Sequence, residues 1–168
     1  MQRVLVTYGT RSGSTAGIAR RIADTLREDG LETEVLPPDE VADVAPYDAV
    51  VLGGALYMNR WHKDARRFSR RHARALREKP VWLFSSGPLD ASASERDIPA
   101  VPTARRAERR THARGHATFG GSLEEGAKGH LAKSILEEGR GGDFRDTARI
   151  ERWAHEVADE LKAPPEGV

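Results

Sequence analysis

The chain has 168 residues, 38% hydrophobic and 32% charged, with a formal net charge of +1. That length is expected to form one domain over residues 1–168, with a core of its own. The absence of cysteine excludes disulfide staples, thiolate catalysis and Cys-ligated zinc or iron–sulfur centres, and no apolar run approaches the roughly 20 residues that cross a bilayer.

Val4 to Val6 is a short apolar run that predicts a buried strand. It gives way to Thr7, Gly9, Thr10, Ser12, Gly13, Ser14 and Thr15, and then Ile18, Ala19, Ile22, Ala23 and Leu26 recur at helical spacing. A strand, a turn of glycines and hydroxyls, and a helix make an anion site. The helix start offers unpaired N–H groups and the positive end of its dipole, and the hydroxyls add donors. A phosphate is the expected guest.

Gly30 is a C-terminal stop for this helix, and Glu32–Leu36 alternates as a second strand before Pro37-Pro38. Asp39–Val44 predicts a short helical turn. Ala49–Leu52 is an apolar central strand ending in Gly53-Gly54, followed by a loop, Ala55–His62, rich in large side chains. Asp64–Glu78 predicts one helix with Ala65, Phe68, His72 and Leu76 on one face and arginines opposite. Val81–Phe84 is a further apolar strand, closed by Ser85-Ser86-Gly87-Pro88. Ala91–Arg114 reads as loop with a basic helix near Thr103–Thr111, and His116–Phe119 as the last strand before Gly120-Gly121. Leu123–Gly142 carries one short helix around Leu131–Leu136. Asp146 looks like an N-cap, and Ile150, Trp153, Ala154, Val157, Ala158 and Leu161 give an amphipathic final helix. Residues 163–168 are expected to be a frayed tail.

Strands and helices alternate, and the central strands are apolar throughout. That marks a parallel sheet covered on both faces, a five-stranded doubly wound α/β architecture in three layers. Ligands of such sheets sit beyond the carboxyl ends of the strands, at the switch in strand order. Four small-residue loops, Thr10–Thr15, Gly53-Gly54, Ser85–Pro88 and Gly120-Gly121, fall at that edge. A nucleotide P-loop is excluded because no lysine lies in the turn. The GxGxxG fingerprint fails on spacing, and a phospho-acceptor aspartate is missing where Gly53 stands.

The loop Thr10, Ser12, Gly13, Thr15 resembles the T/S-x-T-G-x-T phosphate loop of the flavodoxins. Within them the chain is similar to the menaquinone-dependent protoporphyrinogen IX dehydrogenase branch, through Gly53-Gly54-Ala55-Leu56-Tyr57, Trp61-His62 before a basic helix, Phe119-Gly120-Gly121, and Gly142–Asp146 ahead of a Trp153-bearing helix. The resemblance implies strand order 2-1-3-4-5 and FMN as cofactor, its phosphate held by Thr10, Arg11, Ser12, Gly13, Ser14 and Thr15. Ala55, Leu56 and Tyr57, with Ser85, Ser86 and Gly87, would flank the isoalloxazine ring. The loop after Phe84 supplies only Leu89, so a stacking ring is expected from Tyr57 or Trp61. His62 is a candidate proton donor to reduced flavin, set against the reading of a surface histidine. No metal is expected at His112 and His116, whose i,i+4 spacing is broken by Gly115.

Three functions stay open on this reading: an FMN-dependent oxidoreductase, an electron carrier with no substrate of its own, and a flavin-free binding protein of the same fold. The arginine face over Asp64–Glu78 is either a solvated surface or a dock for an acidic redox partner or carboxylate-bearing substrate. A quinone or porphyrin is the small-molecule partner that the resemblance implies. Nucleic acid is not expected, because the basic segments lack an aromatic platform. Membrane contact is expected to be peripheral at most. A strand begins almost at the N-terminus, with no signal-peptide pattern, so the expected compartment is the cytoplasm.

Overall fold

A computed structural model describes residues 2–10, 14–87, 98–120 and 146–163. Five parallel strands, β1 (Arg3–Gly9), β2 (Glu32–Leu36), β3 (Ala49–Tyr57), β5 (Val81–Ser86) and β6 (Gly115–Phe119), lie in the order β2-β1-β3-β5-β6. A two-residue strand, β4 (Arg60–Trp61), pairs antiparallel with the end of β3. With that hairpin strand set aside, the order is the expected 2-1-3-4-5. Among the described residues no helix is long and apolar enough to cross a membrane.

The strands are apolar on both faces because both are covered. Val4, Val6, Val51, Phe84 and Phe119 pack against α1 (Ser14–Glu28) and the last helix, α5 (Thr147–Lys162). Leu5, Val50, Leu52, Val81 and Leu83 pack on the other side against α2 (Lys63–Arg71), α3 (Ala73–Arg77) and α4 (Pro102–Thr111). Each fully buried aliphatic or aromatic side chain contributes roughly 1.5–3 kcal/mol. Trp153 joins the first layer edge-on to Phe84 and Phe119, with centroids 6.3 and 5.7 Å away. Trp82 is buried in the same layer.

Helix ends follow their sequence signals. Gly30, at φ +88°, closes α1: its N–H donates to Arg27 O and that of Leu31 to Leu26 O, each at 3.0 Å, a Schellman pattern that satisfies the last carbonyls. Asp146 caps α5, its Oδ1 accepting from Arg149 N at 3.1 Å.

Several boundaries differ from expectation. The helix expected over Asp64–Glu78 is two helices. His72, at φ −107°, ends α2 with its ring 4.5 Å from that of Phe68. The strand expected to stop at Leu52 continues to Tyr57, so Gly53 and Gly54 lie inside it. A Cβ on Gly53 would sit 2.0 Å from Phe84 Cζ, and one on Gly54 2.6 Å from Trp61 Nε1. Glycine inside a strand often marks such a close approach. The Asp39–Val44 turn is a short 3₁₀ turn at Pro38–Glu40. The helix around Leu131–Leu136 and residues 164–168 of the tail lie outside the described residues.

Candidate functional site

Strand order reverses between β1 and β3: α1 leaves β1 toward one face of the sheet and α2 follows β3 on the other. A crevice forms beyond the carboxyl ends of strands at such a switch. Register fixes what meets there. Gly9 pairs with Gly54, and Ala55 with Ser86, so the ends of β1, β3 and β5 stand side by side. A Cβ on Gly87 would lie 3.5 Å from Leu56 Cβ, which brings the β3 and β5 ends into contact distance. Gly87 takes φ +121° and donates its N–H to Phe119 O at 2.9 Å.

The hydroxyls between β1 and α1 are unusual. Oγ1 of Thr10 and Oγ1 of Thr15 are both buried without a hydrogen-bond partner, as is that of Thr7 within β1. A buried polar atom left unpaired costs about 1–3 kcal/mol, so native structures rarely keep one without a reason. Thr15 lies in the first turn of α1, which holds no acidic residue to offset the positive end of the helix. The donor set fits a phosphate: hydroxyls with no partner, beside a helix start, whose first N–H groups have no intrahelical acceptor. Ser14 opens α1. Arg11, Ser12 and Gly13 lie outside the described residues. A cavity of about 420 Å³ opens beside Thr10, between Pro37–Asp39 and the side of α2 that bears Asp64, Arg67 and Arg71.

The two candidate rings part company. Tyr57 is 52% exposed at the open edge, whereas Trp61 is fully buried. The Trp61 indole fills the space left by Gly54 and donates from Nε1 to Phe84 O at 3.2 Å. Its place is under the site, not in it, because the two-residue pairing of β4 turns the ring inward. His62 is neither on the surface nor pointed outward. Its side chain is 9% exposed and caps α2, with Nδ1 accepting from Asp64 N at 3.1 Å. Gly9 passes so close that a Cβ there would stand 2.8 Å from that nitrogen.

Sequence reasoning missed the setting of Ser85. Its Oγ lies 2.7 Å from His116 Nε2 on the neighbouring strand. Burial pushes the His116 imidazole down to about 4, so it stays neutral at ordinary pH, and its Nε2 shares a hydrogen bond with the Ser85 hydroxyl. Only strand pairing could have revealed the contact. The folded value lies below the unfolded one near 6.5, so the unfolded chain takes up the proton first as pH falls. The His116 contribution to stability is therefore complete above about pH 7 and lost toward pH 4, by about 2 kcal/mol between pH 7.5 and 5. Urea unfolding at those two pH values should show that loss, and His116→Gln should flatten it.

These features define a doubly wound α/β protein with unpartnered buried hydroxyls beside its topological switch point. The chain belongs to the flavodoxin domain family: the family model matches residues 5–138. It is 28% identical over 85 residues to protoporphyrinogen IX dehydrogenase [quinone] of Escherichia coli (strain K12). That match covers 49% of this chain and 47% of the relative, so the chain spans about half the length of the curated relatives it matches. Oxidised flavodoxin 1 from Bacillus cereus superposes with a TM-score of 0.60 at 18% identity, over 95% of this chain and 99% of that one. An archaeal flavodoxin gives 0.65 at 12%, over 96% and 99%. Rubredoxin oxygen:oxidoreductase from Desulfovibrio gigas gives 0.65 at 12%, over 96% of this chain and 36% of that one. At these identities the solved structures establish the fold.

Proposed function

We propose that the chain binds FMN and passes electrons between a reduced donor and an acceptor. The observation that carries this reading is the pair of buried hydroxyls, Thr10 and Thr15, left without partners at the start of α1. Bound FMN would supply the redox chemistry. Thr10 and Thr15, with Arg11, Ser12, Gly13 and Ser14, would hold the phosphate. Ala55, Leu56 and Tyr57, with Ser85, Ser86 and Gly87, would flank the ring. Tyr57, half exposed at the edge, is the ring that would stack, and Trp61 and His62 hold the hairpin and α2 in position beneath it. The Ser85 hydroxyl is held by its hydrogen bond to neutral His116.

A second reading, favoured by the partial match to the dehydrogenase, adds a substrate: the chain oxidises a porphyrinogen and reduces a quinone. Titration of flavin-stripped protein with FMN, followed by flavin fluorescence and visible absorbance, tests the first reading. Saturable binding with one FMN per chain is expected, and unchanged spectra would overturn it in favour of a flavin-free binding protein. Turnover of protoporphyrinogen IX with menadione, absent from a free-FMN control, separates the second reading from a pure carrier. The cytoplasm is the compartment that either reading expects.

A further inference from the structure

The two arginine-rich stretches, some thirty residues apart in sequence, form one surface. Helices α2 and α3 pack against α4 on the same face of the sheet. Arg110 of α4 donates to Ser69 Oγ of α2 at 2.7 Å, and Arg77 Nε of α3 donates to Arg110 O at 2.9 Å. Together the three helices carry eleven cations and two carboxylates. That is a net of about nine positive charges, so for a total of +1 the remaining chain must carry about eight negative ones. Among the described residues none of these eleven cations makes an ion pair. Arg110 is held below its usual range by burial first, then by repulsion from Arg70 and Arg106. Like charges gathered this way oppose folding, so the sequence retains them against a stability gradient.

We propose that this face docks an acidic protein. Ten of the eleven cations are arginine, whose planar fork pairs two-pronged with carboxylates, as a lysine cannot. The face also has an apolar tip. The β3–β4 hairpin stands beside α4, with Trp61 N donating to Thr103 Oγ1 at 2.9 Å. At its turn Met58 and Asn59 both take positive φ, 49° and 60°, and Met58 is 81% exposed. Arginine and methionine are among the residues enriched where proteins meet. A lipid surface would need an apolar helix face to sink into it. Here Ala65 and Phe68 of α2 and Ala104 and Ala107 of α4 are spent on the core. Single-stranded nucleic acid would need stacked aromatics, and no aromatic residue on these helices is exposed.

The test reverses three exposed charges, Arg70→Glu, Arg106→Glu and Arg109→Glu together. A control of equal net charge, Arg20→Glu with Arg152→Glu and Lys162→Glu, places them on α1 and α5. Three probes are titrated against flavin-free protein: fluorescein-labelled poly-L-glutamate, phosphatidylglycerol vesicles and a single-stranded oligonucleotide. Polyglutamate binding should fall at least about tenfold in the face variant and less than about threefold in the control, since exposed pairs contribute about 0.2–1 kcal/mol each. Replacing the same three arginines by lysine keeps the charge and the fold, and should give an intermediate loss. Equal losses in the face and control variants would overturn the proposal. So would full binding by the lysine variant, or tighter binding of vesicles or oligonucleotide than of polyglutamate. Since no flavin takes part, failure here leaves the FMN reading standing.

Discussion

A chain carrying Thr10→Val together with Thr15→Val should lose FMN affinity at least about 100-fold while folding as well as the parent or better. The two parts have opposite signs for one reason. In the flavin-free chain both Oγ1 atoms are buried and unpaired. Valine, nearly the same shape, removes an unsatisfied polar atom, so apoprotein stability holds or rises. In the complex each hydroxyl would donate to a phosphate oxygen, a charge-assisted bond of about 1.5–3 kcal/mol. Two such losses give about 3 kcal/mol or more, which is roughly 100-fold in Kd. Fluorescence titration supplies the affinity and urea unfolding of the apoprotein the stability. Serine at both positions should restore most of the binding, because it keeps the donor. Full FMN occupancy in the valine variant would remove these hydroxyls from the site.

The hydroxyls between β1 and the body of α1, which the proposed function assigns to a phosphate, were legible in the sequence because their signal is local. Hydroxyls and glycines between an apolar run and a helical period carry their meaning within a dozen residues. The ring side was not, because there pairing decides. Tyr57 and Trp61 are both large aromatics in the stretch after Gly53-Gly54. Which one reaches solvent depends on whether β3 continues past the glycines and folds back as β4. The glycines mislead in the same way. In sequence they punctuate, but in the sheet they vacate room for Phe84 and Trp61 from elsewhere in the chain. His116 gave no signal, since the Ser85 hydroxyl becomes its neighbour only through β5–β6 register. The order of the five parallel strands was readable, because the central ones, covered on both faces, are apolar over most of their length. The union of the arginine clusters was half visible: sequence showed two, and packing made them one.

Replacing Trp61 by alanine should be the most damaging single change in the hairpin, lowering stability by about 3–5 kcal/mol and Tm by roughly 6–20 °C. The indole is fully buried, so the substitution opens a cavity as well as losing transfer energy. It also strips the Phe84 carbonyl of the Nε1 donor 3.2 Å away. A second substitution shows whether ring and glycine share one space. Gly54→Ala in the parent drives a Cβ to 2.6 Å from Trp61 Nε1 and should cost about 1–3 kcal/mol through overpacking. With Trp61 already alanine the obstacle is gone, and the same methyl enters the cavity at little or no cost. The double-mutant cycle should therefore show a coupling of at least about 1 kcal/mol, read by thermal and urea unfolding. Additive effects would mean that Trp61 does not rest on Gly54. The hairpin would then be held by other contacts, and Tyr57 would keep its place at the crevice whatever stands at position 61.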